Sequence, residues 1–108
     1  MTMKLLILAV CAAVIAPVAH AADPAAGAAK AREVCIACHG ADGNSASPDF
    51  PKLAGQHRDY LEKSLRDYKS GARKNAIMAG IAAALTRQDI ENLAAYYNTQ
   101  PAVLATRY

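Results

Sequence analysis

Cys35, Cys38 and His39 stand together in the run Cys-Ile-Ala-Cys-His. Two thiols at this spacing lie about one turn apart at a helix end, close enough to reach both vinyl groups of a single porphyrin. Each would form a thioether bond, and the histidine that follows would be held under the ring as an axial ligand of the iron. The same residue types serve two other chemistries. A C-x-x-C pair performs thiol–disulfide exchange when it stands near a βαβ pattern, and two thiols joined by two more ligands hold zinc. The sequence carries no strand signal, and only His57 or carboxylates are left to complete a zinc set. One covalent haem c is therefore the expected cofactor.

An iron held by His39 has a second axial position to fill. Met78 is the only methionine after Met3, and it falls between two expected helices, in a stretch from which a side chain can reach an open iron face. A thioether ligand favours ferrous iron and raises the potential, which suits an electron carrier. On position alone, Met78 fills core equally well. His57 is the competing ligand; it follows Gly55-Gln56 and precedes Arg58-Asp59 at a helix start, a solvated setting. No constellation of base and nucleophile appears elsewhere, so no catalytic residue is assigned.

Residues 1–21 are set apart from this chemistry. Lys4 is followed by an apolar run from Leu5 to Ala16, then Pro17, then Ala19-His20-Ala21 in the small-x-small pattern of a cleavage site. This reads as a secretory signal peptide, too short to span a bilayer, cut after Ala21 or Ala22. Residues 22–108 are then one exported, periplasmic domain with no membrane anchor. Cys11 lies inside the apolar run behind Val10, a bulkier residue than a lipoprotein site takes, and it leaves with the signal, as do Met1, Met3 and His20. Lys4 is the only charged residue lost, so the formal charge falls from +3 to +2. Two haem propionates would bring it near zero, which leaves no basic field for nucleic acid.

What positions the motif must be a small domain with a thin core: one Phe, no Trp and many alanines. Small domains compensate with disulfides or a metal. Cys35 and Cys38 are too close in sequence to staple distant segments, whereas a buried porphyrin fills the gap. Asp23-Pro24 opens a helix over Ala25 to Ile36, with Gly27, Ala31 and Val34 on one face. Gly27 weakens that helix by about 1 kcal/mol relative to Ala, in keeping with close approach of another helix. Gly40 to Ala54 is a long loop with Pro48 and Pro51, expected to wrap the edge and the histidine side of the haem. Gln56 to Ser70 is a second helix, stopped by Gly71, with Tyr60, Leu61, Ser64, Leu65 and Tyr68 on its inner face. Glu62–Arg66 and Asp59–Lys63 are its expected ion pairs. Ala72 to Leu85 reads as less regular. Thr86-x-x-Asp89 is a capping box opening a last helix to about Asn98, with Ile90, Leu93, Ala94 and Tyr97 inward and Pro101 just past its end. The expected fold is all-α, with three or four helices.

Taken in order, these motifs resemble the class I c-type cytochromes of the small bacterial mono-haem kind, similar to cytochrome c-553 and to one domain of cytochrome c-4. The resemblance runs from Ala22 to Gln100. It rests on Cys35–Gly40 followed by Ala-Asp-Gly-Asn, on Pro-Lys-Leu-Ala-Gly-Gln from Pro51 to Gln56, on Tyr68 to Asn75, on Met78, and on Asp89 to Tyr97. It implies an all-α fold wrapped around one covalently bound haem, with His39 and Met78 as axial ligands and His57 outside the site. It further implies that the Pro51 carbonyl orients the His39 ring, that Leu53, Tyr60, Tyr68 and Ile77 line the pocket, and that Arg73 or Lys74 meets a propionate. The implied activity is that of a soluble periplasmic one-electron carrier of a respiratory chain, not an enzyme. Redox partner proteins, such as membrane reductase or oxidase complexes, would dock transiently at the haem edge. The alternatives are an electron-transfer subunit of a larger complex, or a haem enzyme or gas-binding subunit with a labile sixth ligand, against which Met78 argues.

Overall fold

Asp23 caps the first helix: its carboxylate accepts from the Ala25 N–H, and Pro24 occupies the first turn, where no N–H is needed. In this computed structural model, which describes residues 13–17 and 20–103, α1 spans Pro24–Val34 and a single-turn α2, Ile36–His39, follows directly after Cys35. A long loop then leads to α3, Arg58–Ser70, which stops at Gly71 with a left-handed φ of 83°. α4 covers Ala76–Ala83 and α5 covers Arg87–Thr99. Both halves of the expected capping box form, the Thr86 hydroxyl accepting from the Asp89 N–H and the Asp89 carboxylate from the Thr86 N–H. No strand occurs among the described residues. Most of the expected signal peptide, Cys11 included, lies outside them, and Ala13–Pro17 take no regular structure.

Two expectations need correction. The stretch from Ala72 to Leu85 is not irregular throughout, because Met78 sits inside α4. Asn75 caps that helix by accepting from the Met78 N–H, and the alanines that follow propagate it. The uniformly apolar composition hides the period that would have announced a helix. On α3, Lys63 pairs with Asp67 instead of Asp59, while Asp59 accepts from its own helix's Tyr60 N–H; Glu62 takes both Arg58 and Arg66. On α1, Gly27 and Ala31 are buried, and Val34 on the same face is 36% exposed.

α1 crosses α5, and α5 in turn packs on α3, whose other flank meets α4. The core between them is Ala31, Leu61, Leu85, Ile90, Leu93, Ala94 and Tyr97. Gly27 is the point of closest approach. A Cβ there would lie 2.0 Å from the Asn92 carbonyl oxygen and 2.9 Å from Tyr96 Cβ. Beside it, the buried Asn92 side chain accepts from the Asp23 N–H at 2.8 Å and from Gln88 Nε2 at 2.8 Å, so one residue ties the start of α1 to α5.

Gly27→Ala should therefore lower stability by about 1–3 kcal/mol, although alanine is the better helix former, because two backbones must separate to admit the methyl group. Denaturant unfolding checks this, and an unchanged midpoint would mean that the helix crossing does not depend on the contact.

Candidate functional site

The α1–α5 crossing carries Cys35, the residue that closes α1, to the side of Tyr97. From there the chain turns once more: the Cys38 and His39 N–H groups both donate to the Cys35 carbonyl, at 3.3 and 3.0 Å, and Gly40 ends the turn with φ 84°. A residue with a side chain is strained at such a φ. The single turn places Cys35, Cys38 and His39 along one wall of a cavity of about 270 Å³. Both cysteines are free thiols.

His39 is 6% exposed and its ring is fixed from two sides. Nδ1 donates to the Pro51 carbonyl oxygen at 2.8 Å. A carbonyl can only accept, so the proton is on Nδ1 and the Nε2 lone pair is left free. Phe50 meets the ring edge-on, with centroids 6.3 Å apart and planes at 66°. The loop between α2 and α3 supplies both groups, and it is closed at its base by the Gly43 carbonyl, which accepts from the Leu53 N–H at 2.8 Å and the Ala54 N–H at 3.2 Å.

Met78 borders the same cavity from α4, and Tyr60, Leu61, Ser64, Leu65 and Tyr68 border it from α3. Pro51, Leu53, Ile77 and Arg73 are also lining residues. Lys74 and His57 are not; both are exposed, and His57 serves as the N-cap position of α3. Arg73 lies over the Tyr68 ring at 4.9 Å and reaches Ser64 Oγ at 3.2 Å. It also holds the Tyr60 phenol below its ordinary pKa through a hydrogen bond. The mouth is formed partly by Tyr60 and Ile77, which are 50% and 61% exposed.

Sequence reasoning treated Tyr97 only as core, but it also faces the cavity. It is 2% exposed, and its hydroxyl has no hydrogen-bond partner among the described residues. Burial pushes its pKa up, and the adjacent Cys35 adds to the shift. Burial likewise pushes the Cys35 thiol up, with the Tyr97 hydroxyl opposing. Phe50 was missed as well; its signal was that the only phenylalanine of the chain directly precedes Pro51.

The residues fit a covalently bound, iron-centred planar group. Two thiols, an imidazole with its outer nitrogen engaged and its inner one free, and a thioether reach one largely apolar cavity from separate elements. Zinc is served less well, since no group of three or more His, Cys, Asp and Glu converges among the described residues.

Comparison with known proteins points the same way. The cytochrome c family matches residues 24–100. Cytochrome c4 of Thiocapsa roseopersicina is 56% identical over 79 residues, 73% of this chain but 41% of that protein. Cytochrome c-554(548) of Halomonas halodenitrificans is 45% identical over 83 residues, 74% of this chain and 99% of that one. Among solved structures, reduced recombinant cytochrome c4 from Pseudomonas stutzeri superposes with a TM-score of 0.73 at 45% identity, covering 78% of this chain and 48% of its own. The chain thus spans about half or less of the cytochrome c4 proteins it matches, and almost the whole of the shorter relative.

Removing the unpartnered hydroxyl in Tyr97→Phe should change stability by less than about 1 kcal/mol, whereas Tyr97→Ala should cost about 3–5 kcal/mol by opening a void under Cys35. Chemical unfolding of the two variants checks the contrast, and a loss of several kcal/mol in Tyr97→Phe would show that the hydroxyl has a partner in solution.

Proposed function

The chain belongs to the cytochrome c family and carries covalent haem c, and from this premise we propose that it is a periplasmic one-electron carrier with His39 and Met78 as its iron ligands. The observation that carries the reading is the convergence of Cys35, Cys38, His39 and Met78 on one apolar cavity. When bound, the haem supplies an iron that takes up and releases single electrons.

The chain's own residues do the rest. Cys35 and Cys38 hold the group by its edge. Pro51 draws the proton of His39 to the outer nitrogen and fixes the ring, which leaves Nε2 as the ligand atom and raises its basicity. Met78 offers a soft sulfur that favours the ferrous state. With both residues committed to the iron, no position is left for a substrate, and this supports a carrier over an enzyme or gas-binding subunit. Leu61, Leu65, Leu93 and Ala94 keep water from the inner wall. Arg73 is the cation placed to meet an anionic edge group of the haem. Exposed Tyr60 and Ile77 at the mouth give a small mixed surface of the kind that suits brief docking of a redox partner.

Among the described residues, no helix is long and apolar enough to cross a membrane. The Lys4-to-Ala21 pattern supports export. The 41% coverage of cytochrome c4 supports the second reading, an electron-transfer unit of a larger assembly.

Absorption spectra of the exported protein test the proposal. Sharp reduced c-type bands are expected, with a weak red-end methionine–ferric band in the oxidised form. Met78→Ala should lose that band and lower the midpoint potential, and its persistence would assign the ligand elsewhere, with His57 the first alternative. No haem spectrum, in a host able to attach haem, would overturn the reading. The mass of the exported protein should correspond to a chain starting at Ala22 or Asp23; a retained leader would refute cleavage.

A further inference from the structure

Residues 101–103, which follow α5, stay against the domain. Pro101 to Val103 runs back along the loop between α2 and α3 and is bonded to it at three points. Asn44 Nδ2 donates to the Pro101 carbonyl at 2.9 Å, and the Val103 N–H donates to Asn44 Oδ1 at 2.8 Å. Lys52 Nζ donates to the Val103 carbonyl at 2.6 Å. Asn44 uses both ends of its amide, as a neighbouring strand would use its backbone, so the segment is held in one register. The Asn44 N–H is itself fixed by the Asp42 carboxylate at 2.9 Å. Ala102 seats against Gly55, where an added Cβ would come within 3.0 Å of the Ala102 methyl.

The third bond matters for His39. The carbonyl that accepts from Nδ1 belongs to the Pro51–Lys52 peptide. Gly43 pins the loop beyond this peptide, through Leu53 and Ala54, but Pro51 and Lys52 are exposed and, among the described residues, make no backbone–backbone bond that would set the peptide's plane. Lys52's grip on Val103 supplies a second fixed point for that peptide, and Asn44 keeps Val103 where Lys52 can reach it.

We propose that residues 101–103, clamped by Asn44 and Lys52, are a positioning strap that holds the Pro51 carbonyl on His39 Nδ1 and so sets the electron donation of the ring to the iron. The inference rests on the function proposed above, in which His39 is an iron ligand. Loosening the strap weakens the Nδ1–H bond, makes His39 a poorer donor, stabilises ferric iron less and raises the potential.

The experiment uses the haem-loaded, reduced protein and reads two quantities, the exchange rate of the His39 Nδ1 proton by NMR and the midpoint potential. Asn44→Ala, and independently Lys52→Met, which keeps the apolar stem and the exposed position, should each speed exchange by about fivefold to tenfold, the equivalent of one hydrogen bond, and raise the potential. Thr86→Ala, which removes the cap at the far end of α5, controls for general loss of stability and should move neither. Exchange within about twofold of the parent in Lys52→Met and Asn44→Ala overturns the strap alone. Equal acceleration in Thr86→Ala also overturns it, since the effect would then be global opening. A parent protein whose His39 ring shows no sign of iron ligation overturns the proposed function, and this inference with it.

Discussion

The backbones of α1 and α5 touch at Gly27 and Asn92 with no side chain between them, and the rest of the fold takes its dimensions from that contact. A glycine inside a helix is unfavourable for the helix alone, so the residue is explained by what it admits. With the two axes drawn together, the last turn of α1 lies over Leu93, Ala94 and Tyr97, the inner face of α5. Cys35 is therefore delivered partly buried against Tyr97, and the turn that follows can point only into the space between α5, α3 and α4. Asn92 secures the same crossing from the polar side through the N-cap residue Asp23. One packing contact and one buried amide thus decide where the chemistry of residues 35–39 is exercised.

That space is the second constraint. Of the buried apolar residues, Ala31, Ala54, Ala82, Ala94 and Ala95 are alanines, and among the described residues only Leu61, Leu85, Ile90, Leu93 and Tyr97 are larger. A core so assembled leaves α3 and α4 leaning on an open volume. Small domains of this kind gain stability when a prosthetic group completes the interior. The apolar residues that border the cavity, among them Leu53, Leu65 and Ile81, are a core face waiting for a partner other than protein. Haem is then both the redox centre and a large part of the hydrophobic interior.

Much of this was legible in the sequence because it was written in local signals. Asp23-Pro24, Gly71 and Thr86-x-x-Asp89 fix helix ends through bonds within a few residues, and all three behave as read. Cys-Ile-Ala-Cys-His carries its chemistry in its spacing. α4 was obscured because Ala76–Ala83 is apolar on every side, which erases periodicity, and its cap, Asn75, looks like any loop asparagine until its partner at Met78 is seen. The role of Tyr97 at the cavity wall, the edge contact of Phe50 with His39, and the double use of the Asn44 amide depend on partners 11 to 62 residues away. No local pattern encodes such meetings; they follow from the helix crossing and the path of one long loop.

The cavity is asymmetric, and the asymmetry bears on the proposed function. On the side of α5 and His39 the wall is closed: His39, Leu93, Ala94 and Tyr97 are all buried. On the side of Tyr60 and Ile77 it is open. An electron carrier needs both conditions at once. Its ligand geometry must change little between oxidation states, which calls for a rigid, water-poor wall, while its electron must pass at a surface another protein can approach. The closed side owes its rigidity to groups already bonded elsewhere, Nδ1 of His39 to Pro51 and the loop base to Gly43. The open side is built on α3 and α4, whereas the His39 ring is held by the loop between α2 and α3, so contact with a partner there bears on elements other than the one that fixes the ring.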